Sequence, residues 1–168
     1  GVQKTLGPAG VTLLVARRAR LEKSPETRPT MLRYDTFYNK NSLYNTPPPF
    51  CIYMVGKVAA WIKAQGGLSV MAERNAKKAK IVYEAIDNSN GFYRGHADKD
   101  SRSFMNVTFR LPNEELEKKF VAEALEHGLG GVKGHRSVGG MRTSIYNAMP
   151  YEGCVALADF MEKFRKAN

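Results

Sequence analysis

The sequence predicts an α/β protein in which the end of a larger α/β domain continues into a long connecting helix and a small α+β domain. Three observations support this prediction. Residues 11–16 form a continuous β-prone apolar run, typical of a strand buried on both faces of a sheet. Residues 68–88 carry apolar side chains at helical spacing. Beyond residue 88 the patterns follow the order strand, helix, two short strands, helix, which describes a helix-covered antiparallel sheet.

The composition is that of a globular protein. The chain has 168 residues, a formal net charge of +10 and 43% hydrophobic residues, which excludes disordered and collagen-like chains. No apolar run approaches the roughly 20 residues of a membrane span, and no secretory signal is evident. Cys51 and Cys154 form no Cys-x-x-Cys pair. We therefore expect a soluble cytoplasmic protein that does not associate with membranes.

In the first part of the chain, the apolar run at 11–16 has no evident parallel neighbour. We therefore expect the chain to be the continuation of a protein segment that is missing on its N-terminal side. Residues 17–49 are basic, contain several prolines and show little periodicity, so they predict a long irregular loop, and such loops are usually either functional or disordered. Residues 50–65 predict a helix that ends at Gly66 and Gly67.

In the second part, residues 104–109 alternate like a strand. Asn113 and the acidic residues after it predict the start of a helix that reaches residue 127. Short strands are predicted at 129–133 and 141–146, and a final helix at 152–166. The resulting division is a C-terminal part of the larger domain, a connecting helix and a small α+β domain, at residues 1–67, 68–90 and 91–168.

The positive charge admits two interpretations. A pI near 9.7 is typical of proteins that bind polyanions, nucleic acid above all. However, the basic residues are scattered, and many lie at helical spacing beside acidic ones, without interleaved aromatic residues. This pattern favours small anions, such as carboxylates and phosphates, and we expect no nucleic-acid partner. A non-enzymatic module that binds anions or nucleic acid stays open as the alternative.

Two segments in the first part carry candidate functional residues. Lys4 precedes the predicted strand, where desolvation would lower the pKa of its amine and make it a nucleophile; the alternative is a solvated loop lysine. Asn45 and Thr46 precede the predicted helix and offer an amide, a hydroxyl and backbone N–H groups to a phosphate. The alternative there is simple helix capping.

The segment at residues 134–142 is the most informative. It combines His135, Arg136 and Arg142 with three glycines. Arginine binds carboxylate or phosphate through two parallel hydrogen bonds, and glycines allow the backbone to approach a ligand, so the two arginines are expected to hold the two ends of a dianion. The alternative is a flexible surface hairpin. The three histidines, His96, His127 and His135, are too far apart in sequence for metal-ligand spacing, and no metal is expected.

Several of these segments together resemble one enzyme family, phosphoserine aminotransferase. The matching segments are Gln-Lys-x-x-Gly-Pro-Ala-Gly at residues 3–10, Ser-Leu-Tyr-Asn-Thr-Pro-Pro at 42–48, Gly-His-Arg-Ser-Val-Gly-Gly-Met-Arg at 134–142 and Ser-Ile-Tyr-Asn-Ala-Met-Pro at 144–150. They follow in the family's order over essentially the whole chain. The resemblance covers only the C-terminal part of that enzyme.

The resemblance implies the aspartate-aminotransferase-like fold, represented here by the end of the large domain that binds pyridoxal 5'-phosphate and by the small C-terminal domain. It implies that Lys4 binds the cofactor covalently and moves the substrate proton, and that Gln3 lines the cofactor site. Asn45 and Thr46 would hold the phosphate of the cofactor in the other subunit of a homodimer.

For the substrates, the resemblance implies that Arg142 binds the α-carboxylate and that His135 and Arg136 bind the distal phosphate or carboxylate. The implied reaction, part of serine biosynthesis, converts 3-phosphohydroxypyruvate and L-glutamate to O-phospho-L-serine and 2-oxoglutarate. Because the upstream half would supply the rest of the site, we expect this chain alone to be incomplete, and an inactive fragment is a further alternative.

Overall fold

The computed structural model describes residues 1–23 and 25–168, which form two compact units, Gly1–Trp61 and Ile62–Asn168. Position 24, inside the predicted irregular loop, lies outside the described residues. The boundary between the units falls in the last turn of helix Pro49–Ala64. The three-part domain division predicted from the sequence stays a prediction.

The first unit contains short helices and turns. Helix α1 spans Arg18–Leu21, a 3-10 turn spans Thr30–Leu32, and helix α2 spans Tyr34–Tyr38. These short elements lie within the region predicted to be irregular. The main helix, α3, spans Pro49–Ala64, close to the predicted 50–65. Proline suits its first position because the first helical N–H groups have no intrahelical acceptor.

The predicted strand at residues 11–16 is wrong. These residues belong to no strand, and Leu13 and Val15 are 63% and 88% exposed. The Val2 N–H donates to the Val11 carbonyl oxygen at 3.1 Å. A β-prone sequence becomes a strand only when a neighbour supplies the ladder of hydrogen bonds. No strand in the described part of the chain does so.

Three long helices frame the second unit. Helix α4 spans Gly67–Asp87, α5 spans Glu114–Glu126 and α6 spans Tyr151–Ala167, which confirms the three predicted helices within one or two residues. The Asn113 side chain caps α5 by accepting from the Leu116 N–H at 2.9 Å. Among the described residues, no helix is long and apolar enough to cross a membrane.

The second unit also holds one antiparallel sheet in the order β1-β2-β3, formed by Arg94–Gly95, Asn106–Arg110 and Met141–Ser144. The two strands predicted at 104–109 and 141–146 are confirmed with different bounds, since β2 begins two residues later and ends one residue later than predicted, and β3 ends two residues earlier. The strand predicted at 129–133 is reduced to a single bridge between Lys133 and Met141. Gly131 explains this difference, because its φ of 78° interrupts extended backbone. The two-residue β1 had no sequence signal.

The core of the second unit lies on one face of this sheet. Side chains of β2 alternate, so Val107 and Phe109 are buried while their neighbours are less so. Phe120 of α5 is fully buried at the centre of the core. Its ring centroid lies 5.0 to 6.0 Å from those of four other rings, Tyr93, Phe109, Phe160 and Phe164. The opposite face of the sheet is therefore left for polar side chains.

Candidate functional site

Residues 132–142 form a hairpin whose second arm is β3. The Arg142 N–H donates to the Val132 carbonyl oxygen at 2.8 Å, and the Gly134 N–H donates to the Gly140 carbonyl oxygen at 2.8 Å. Between these two bonds lies the bridge of Lys133 with Met141. We call residues 134–140, at the tip of this hairpin, the anion loop. The hairpin ladder holds both ends of this loop together.

The glycines of the anion loop are required by its own packing. Gly139 and Gly140 have φ of 74° and 64°, in the left-handed region. A Cβ on Gly140 would lie 2.8 Å from the Phe109 carbonyl oxygen, and one on Gly134 would lie 2.6 Å from the Gly140 carbonyl oxygen. From the sequence alone, these glycines were expected to allow a ligand to approach the backbone. In the structure they allow the approach of neighbouring protein atoms.

His135 is oriented by the residue two positions after it. Its Nδ1 lies 2.7 Å from Ser137 Oγ and accepts the Ser137 backbone N–H at 3.3 Å. Because a backbone amide can only donate, Nδ1 is an acceptor and the neutral ring carries its proton on Nε2. The His135 carbonyl oxygen also accepts the N–H groups of Val138 and Gly139, at 2.9 and 2.8 Å. The imidazole thus offers Nε2–H as a donor to an anion.

Arg142 lies on the polar face of the sheet, opposite the core. In β3 the neighbours Met141 and Thr143 are buried, so Arg142 points to the other face. Its cross-strand partner is Thr108, and the His96 N–H donates to the Thr108 carbonyl oxygen at 3.2 Å. Arg142 Nε is buried, and no hydrogen-bond partner for it exists among the described residues. A bound carboxylate would supply the missing acceptor.

Two clefts border the anion loop. The larger, of about 690 Å³, lies between the loop and α5 and includes Lys118, Lys133 and Arg136 in its lining. The smaller, of about 180 Å³, is lined by Arg142 together with His96 and Thr108. His135 lines both clefts, whereas Arg136 lines only the larger and Arg142 only the smaller. The two clefts adjoin at His135, and the expectation that the two arginines hold the two ends of one dianion stays a prediction.

The segment that follows β3 is fixed from α4. Lys78 is only 3% exposed, and its Nζ donates to the carbonyl oxygens of Ile145, Tyr146 and Met149 at 3.3, 2.7 and 3.1 Å. Burial lowers the pKa of Lys78, an effect that the neighbouring Cys154 opposes. The three bonds anchor the chain just beyond the strand that carries Arg142.

Gln3 and Lys4 lie in the first unit, in a tight turn. The N–H groups of Thr5, Leu6 and Gly7 all point to the Val2 carbonyl oxygen, at 3.2, 2.9 and 3.2 Å. Both Gln3 and Lys4 are exposed. Lys4 therefore lies on a turn, and the buried strand entrance that the sequence predicted for it is absent from the described residues.

The Gly-Pro-Ala-Gly turn after Lys4 packs on α3. A Cβ on Gly7 would lie 3.0 Å from Val55 Cγ2, and one on Gly10 would lie 3.2 Å from Cys51 Sγ. Cys51 Sγ also lies 3.4 Å from the Ala9 carbonyl oxygen. Cys51 and Val55 are four residues apart on one helix face. This packing joins the segment that carries Lys4 to the helix that follows Asn45 and Thr46.

Asn45 and Thr46 are exposed and lie shortly before α3 begins at Pro49. Pro47 and Pro48 separate them from the helix, whose first residue is Pro49, and none of these three prolines has a backbone N–H group. Beside the first N–H groups of the helix, the donors that this segment offers to a phosphate are the Asn45 amide, the Thr46 hydroxyl and the backbone N–H groups of these two residues.

Sequence reasoning missed several residues that border the loop. Arg110, Glu117, Thr108 and His96 line one or both clefts but belong to no recognisable motif. Thr108 and Arg110 could have been found from the alternation of buried and less buried side chains along β2, which places both residues on the polar face of the sheet. Within the described chain, no group of three or more His, Cys, Asp or Glu side chains is placed to hold a metal ion.

Comparisons with known proteins agree on one family. The model of the protein family described as aminotransferase class-V matches residues 1–157 of this chain. A phosphoserine aminotransferase of Niallia circulans is 58% identical over 168 residues, which cover 100% of this chain and 46% of that protein. One of Herpetosiphon aurantiacus is 62% identical over 164 residues, 98% of this chain and 46% of the relative. The chain thus spans about half the length of the curated relatives it matches.

Solved structures give the same result. A phosphoserine aminotransferase from Bacillus circulans subsp. alkalophilus superposes with a TM-score of 0.91 at 58% identity, over 99% of this chain and 46% of that chain. A phosphoserine aminotransferase from Trichomonas vaginalis, described as bound to PLP, gives a TM-score of 0.74 at 39% identity, over 82% of this chain and 39% of that chain. These matches confirm the α/β fold class as part of that enzyme's fold.

Proposed function

The chain belongs to the class-V aminotransferases, and on this basis we propose that it forms part of a phosphoserine aminotransferase. The proposed reaction converts 3-phosphohydroxypyruvate and L-glutamate to O-phospho-L-serine and 2-oxoglutarate, a step of serine biosynthesis. The observation that carries the proposal is the buried Nε of Arg142, which has no hydrogen-bond partner in the described part of the chain and lies on the polar sheet face, beside a loop that carries His135 and Arg136. All substrates of this reaction are anions with an α-carboxylate.

The residues of the first unit fit pyridoxal 5'-phosphate by their chemistry. Lys4 supplies the primary amine that an aldehyde requires, and Gln3 next to it supplies an amide. Asn45 and Thr46 supply neutral donors of the kind that bind a phosphate monoester. When bound, this cofactor provides an electron sink for the substrate Cα.

Lys4 is proposed to hold the cofactor and then to move a proton at the substrate Cα. Its neutral amine would accept the proton from the substrate Cα and would then donate it to C4′ of the cofactor. The turn around the Val2 carbonyl oxygen and the packing of Gly7 on α3 fix the backbone that carries this amine. Fixed backbone limits the positions that the Lys4 amine can reach.

The second unit is proposed to recognise the anionic groups. The planar guanidinium of Arg142 would bind the α-carboxylate through two parallel bonds. His135, through Nε2–H, and Arg136 would bind the distal phosphate or carboxylate. Because Arg136 and Arg142 line separate clefts, the proposal assigns them to separate anionic groups.

We further propose that the enzyme acts as a cytoplasmic homodimer in which Asn45 and Thr46 reach the cofactor of the partner subunit. Both residues are exposed and precede the main helix of their unit, so they are accessible to another chain. The rest of the site would come from the part of the relatives that this chain does not match.

The test uses the complemented chain, defined as this chain co-expressed with the part of the Niallia circulans relative that it does not match. After addition of pyridoxal 5'-phosphate and reduction with borohydride, peptide mapping is expected to find the pyridoxyl label on Lys4. Lys4→Arg should lose the label, and its activity should fall at least about a hundredfold. This factor is the lower end of the rate enhancement that a general acid–base residue supplies. Lys57→Arg, an exchange elsewhere in the same unit, is the matched control and should keep both.

A label on another lysine, or a label retained in Lys4→Arg, would refute the assignment of Lys4. Glutamate formation from phosphoserine and 2-oxoglutarate tests the reaction itself. If the complemented chain takes the label on Lys4 but does not act on phosphoserine, the family chemistry stands and the proposed substrate is wrong.

A further inference from the structure

Arg110, the last residue of β2, connects helix α5 to the anion loop. Its Nε donates to Glu117 Oε1 at 2.6 Å, and its Nη1 donates to the Val138 carbonyl oxygen at 3.1 Å. The guanidinium therefore bridges a rigid helix and the tip of a hairpin. The two partners lie 7 and 28 residues away from Arg110 in the sequence.

The Arg110 side chain also packs directly on the loop glycines. A Cβ on Gly139 would lie 3.4 Å from Arg110 Nη1, and a Cβ on Gly140 would overlap Arg110 Cδ. Both glycines have positive φ, so side chains there would be strained as well as crowded. The loop backbone is thus fitted to this arginine along much of its length.

Glu117 is the fixed end of the connection. Its side chain is only 11% exposed, it lies on α5 one turn after the Asn113 cap, and it also accepts the Leu111 N–H at 3.4 Å. A carboxylate held by helix, backbone and arginine has few alternative positions. The bond to Glu117 therefore restrains the Arg110 guanidinium, and the bond from Arg110 in turn restrains the Val138 carbonyl group.

We propose that Arg110, anchored by Glu117, is a positioning residue that sets the place of His135 and Arg136 for the distal anion of the substrate. The connection runs through the loop backbone. Val138 is held at its carbonyl oxygen by Arg110 and at its N–H by the His135 carbonyl oxygen. The proposal rests on the proposed function for the identity of that anion but not for the connection itself.

The kinetic test compares Arg110→Met with Arg102→Met in the complemented chain. Arg102 is a matched control, because it also pairs with a carboxylate in the same unit, Asp87, at 2.8 and 2.6 Å, and lines neither cleft. Arg110→Met is expected to raise KM for phosphoserine by about tenfold, because loss of one charge-assisted hydrogen bond weakens binding by about this factor. The kcat should stay within about twofold of the wild type. Arg102→Met should leave KM within about twofold.

A second readout does not depend on activity. Hydrogen–deuterium exchange of the full chain, analysed for peptides that span residues 134–140, reports the bonds that close the loop. Arg110→Met should accelerate exchange there by about tenfold, since the bond to Val138 is lost. Arg102→Met should not change it. Arg110→Lys, which keeps one charged donor, should restore part of both effects.

The outcomes separate the two proposals. If the wild-type complemented chain does not act on phosphoserine, the proposed function fails, and exchange alone decides the role of Arg110. If Arg110→Met and Arg102→Met give the same exchange, the positioning role is refuted. A rise in KM without faster exchange also refutes it, because Arg110 would then contact the substrate directly. Should Arg110→Met not fold, Arg110→Lys and Glu117→Gln carry the same comparison.

Discussion

Replacement of Arg142 with lysine keeps the positive charge on the polar sheet face but removes the planar fork. In the structure, Arg142 Nε is buried and has no hydrogen-bond partner among the described residues. In the proposed function, the planar guanidinium donates two parallel hydrogen bonds to the α-carboxylate. Lysine presents a single ammonium at the end of a flexible stem. We therefore expect Arg142→Lys to weaken binding of every substrate that carries an α-carboxylate.

The magnitude follows from the loss of one bond. A hydrogen bond to a charged group contributes about 1.5 to 3 kcal/mol, so the loss of one of two should lower kcat/KM by roughly 10- to 150-fold. The backbone should stay in place, because β3 remains paired with β2 and Lys78 still binds the segment after it. The loss should be similar for phosphoserine and for glutamate, since both share the α-carboxylate.

The assay measures kcat/KM of the complemented chain for each amino donor at saturating acceptor. Arg94→Lys is the matched control, because Arg94 is an exposed arginine of the same sheet that lines neither cleft. It should stay within about twofold of the wild type, as expected for a surface exchange. A loss below about threefold for Arg142→Lys, or a loss confined to one substrate, would refute the assignment to the α-carboxylate.

Three further predictions concern the loop, its support and the acid stability of the second unit. His135→Ala should reduce kcat/KM for phosphoserine about tenfold more than for glutamate, because phosphate accepts more hydrogen bonds; equal losses would contradict its role. Lys78→Met should lower the free energy of unfolding of the full chain by about 2 to 4 kcal/mol in urea, since it leaves three carbonyl oxygens without their donor, whereas the exposed Lys80→Met should cost less than about 0.5 kcal/mol. Hydrogen bonding to Arg102 lowers the pKa of Asp87 from its usual 3.8, so this pair stabilises the fold fully above that pH and loses its contribution as the pH falls through the lowered value. The stability difference between wild type and Asp87→Asn should therefore shrink between pH 5 and strongly acidic pH, and a constant difference in urea titrations would contradict this.

The sequence predicted those elements whose stability is local. Helices α4 and α6 carry their apolar stripe, and α5 carries its Asn113 cap, within single continuous segments. Helical hydrogen bonds close within four residues, so the pattern alone is sufficient. The core stripes could be predicted for the same reason.

The sequence could not predict features that depend on distant partners. Residues 11–16 have a strand-like composition, but a strand exists only with a neighbour, and the described chain provides none. In the candidate site, the motif at residues 134–142 identified His135, Arg136 and Arg142, but not the arrangement of two clefts around them. The contact of Arg110 with Val138 spans 28 residues and leaves no periodic trace in the sequence.

The alternation of side chains in the sheet connects the stability of the second unit to its chemistry. In β3, Met141 and Thr143 enter the core, and the residue between them, Arg142, must then face the polar side. A slip of one residue would place the guanidinium among the aromatic rings and expose Met141, so the cost of burying a charge enforces the register. The core therefore does more than stabilise the unit. It determines which face of the sheet carries Arg142, and with it the side from which the carboxylate of the proposed substrates would bind.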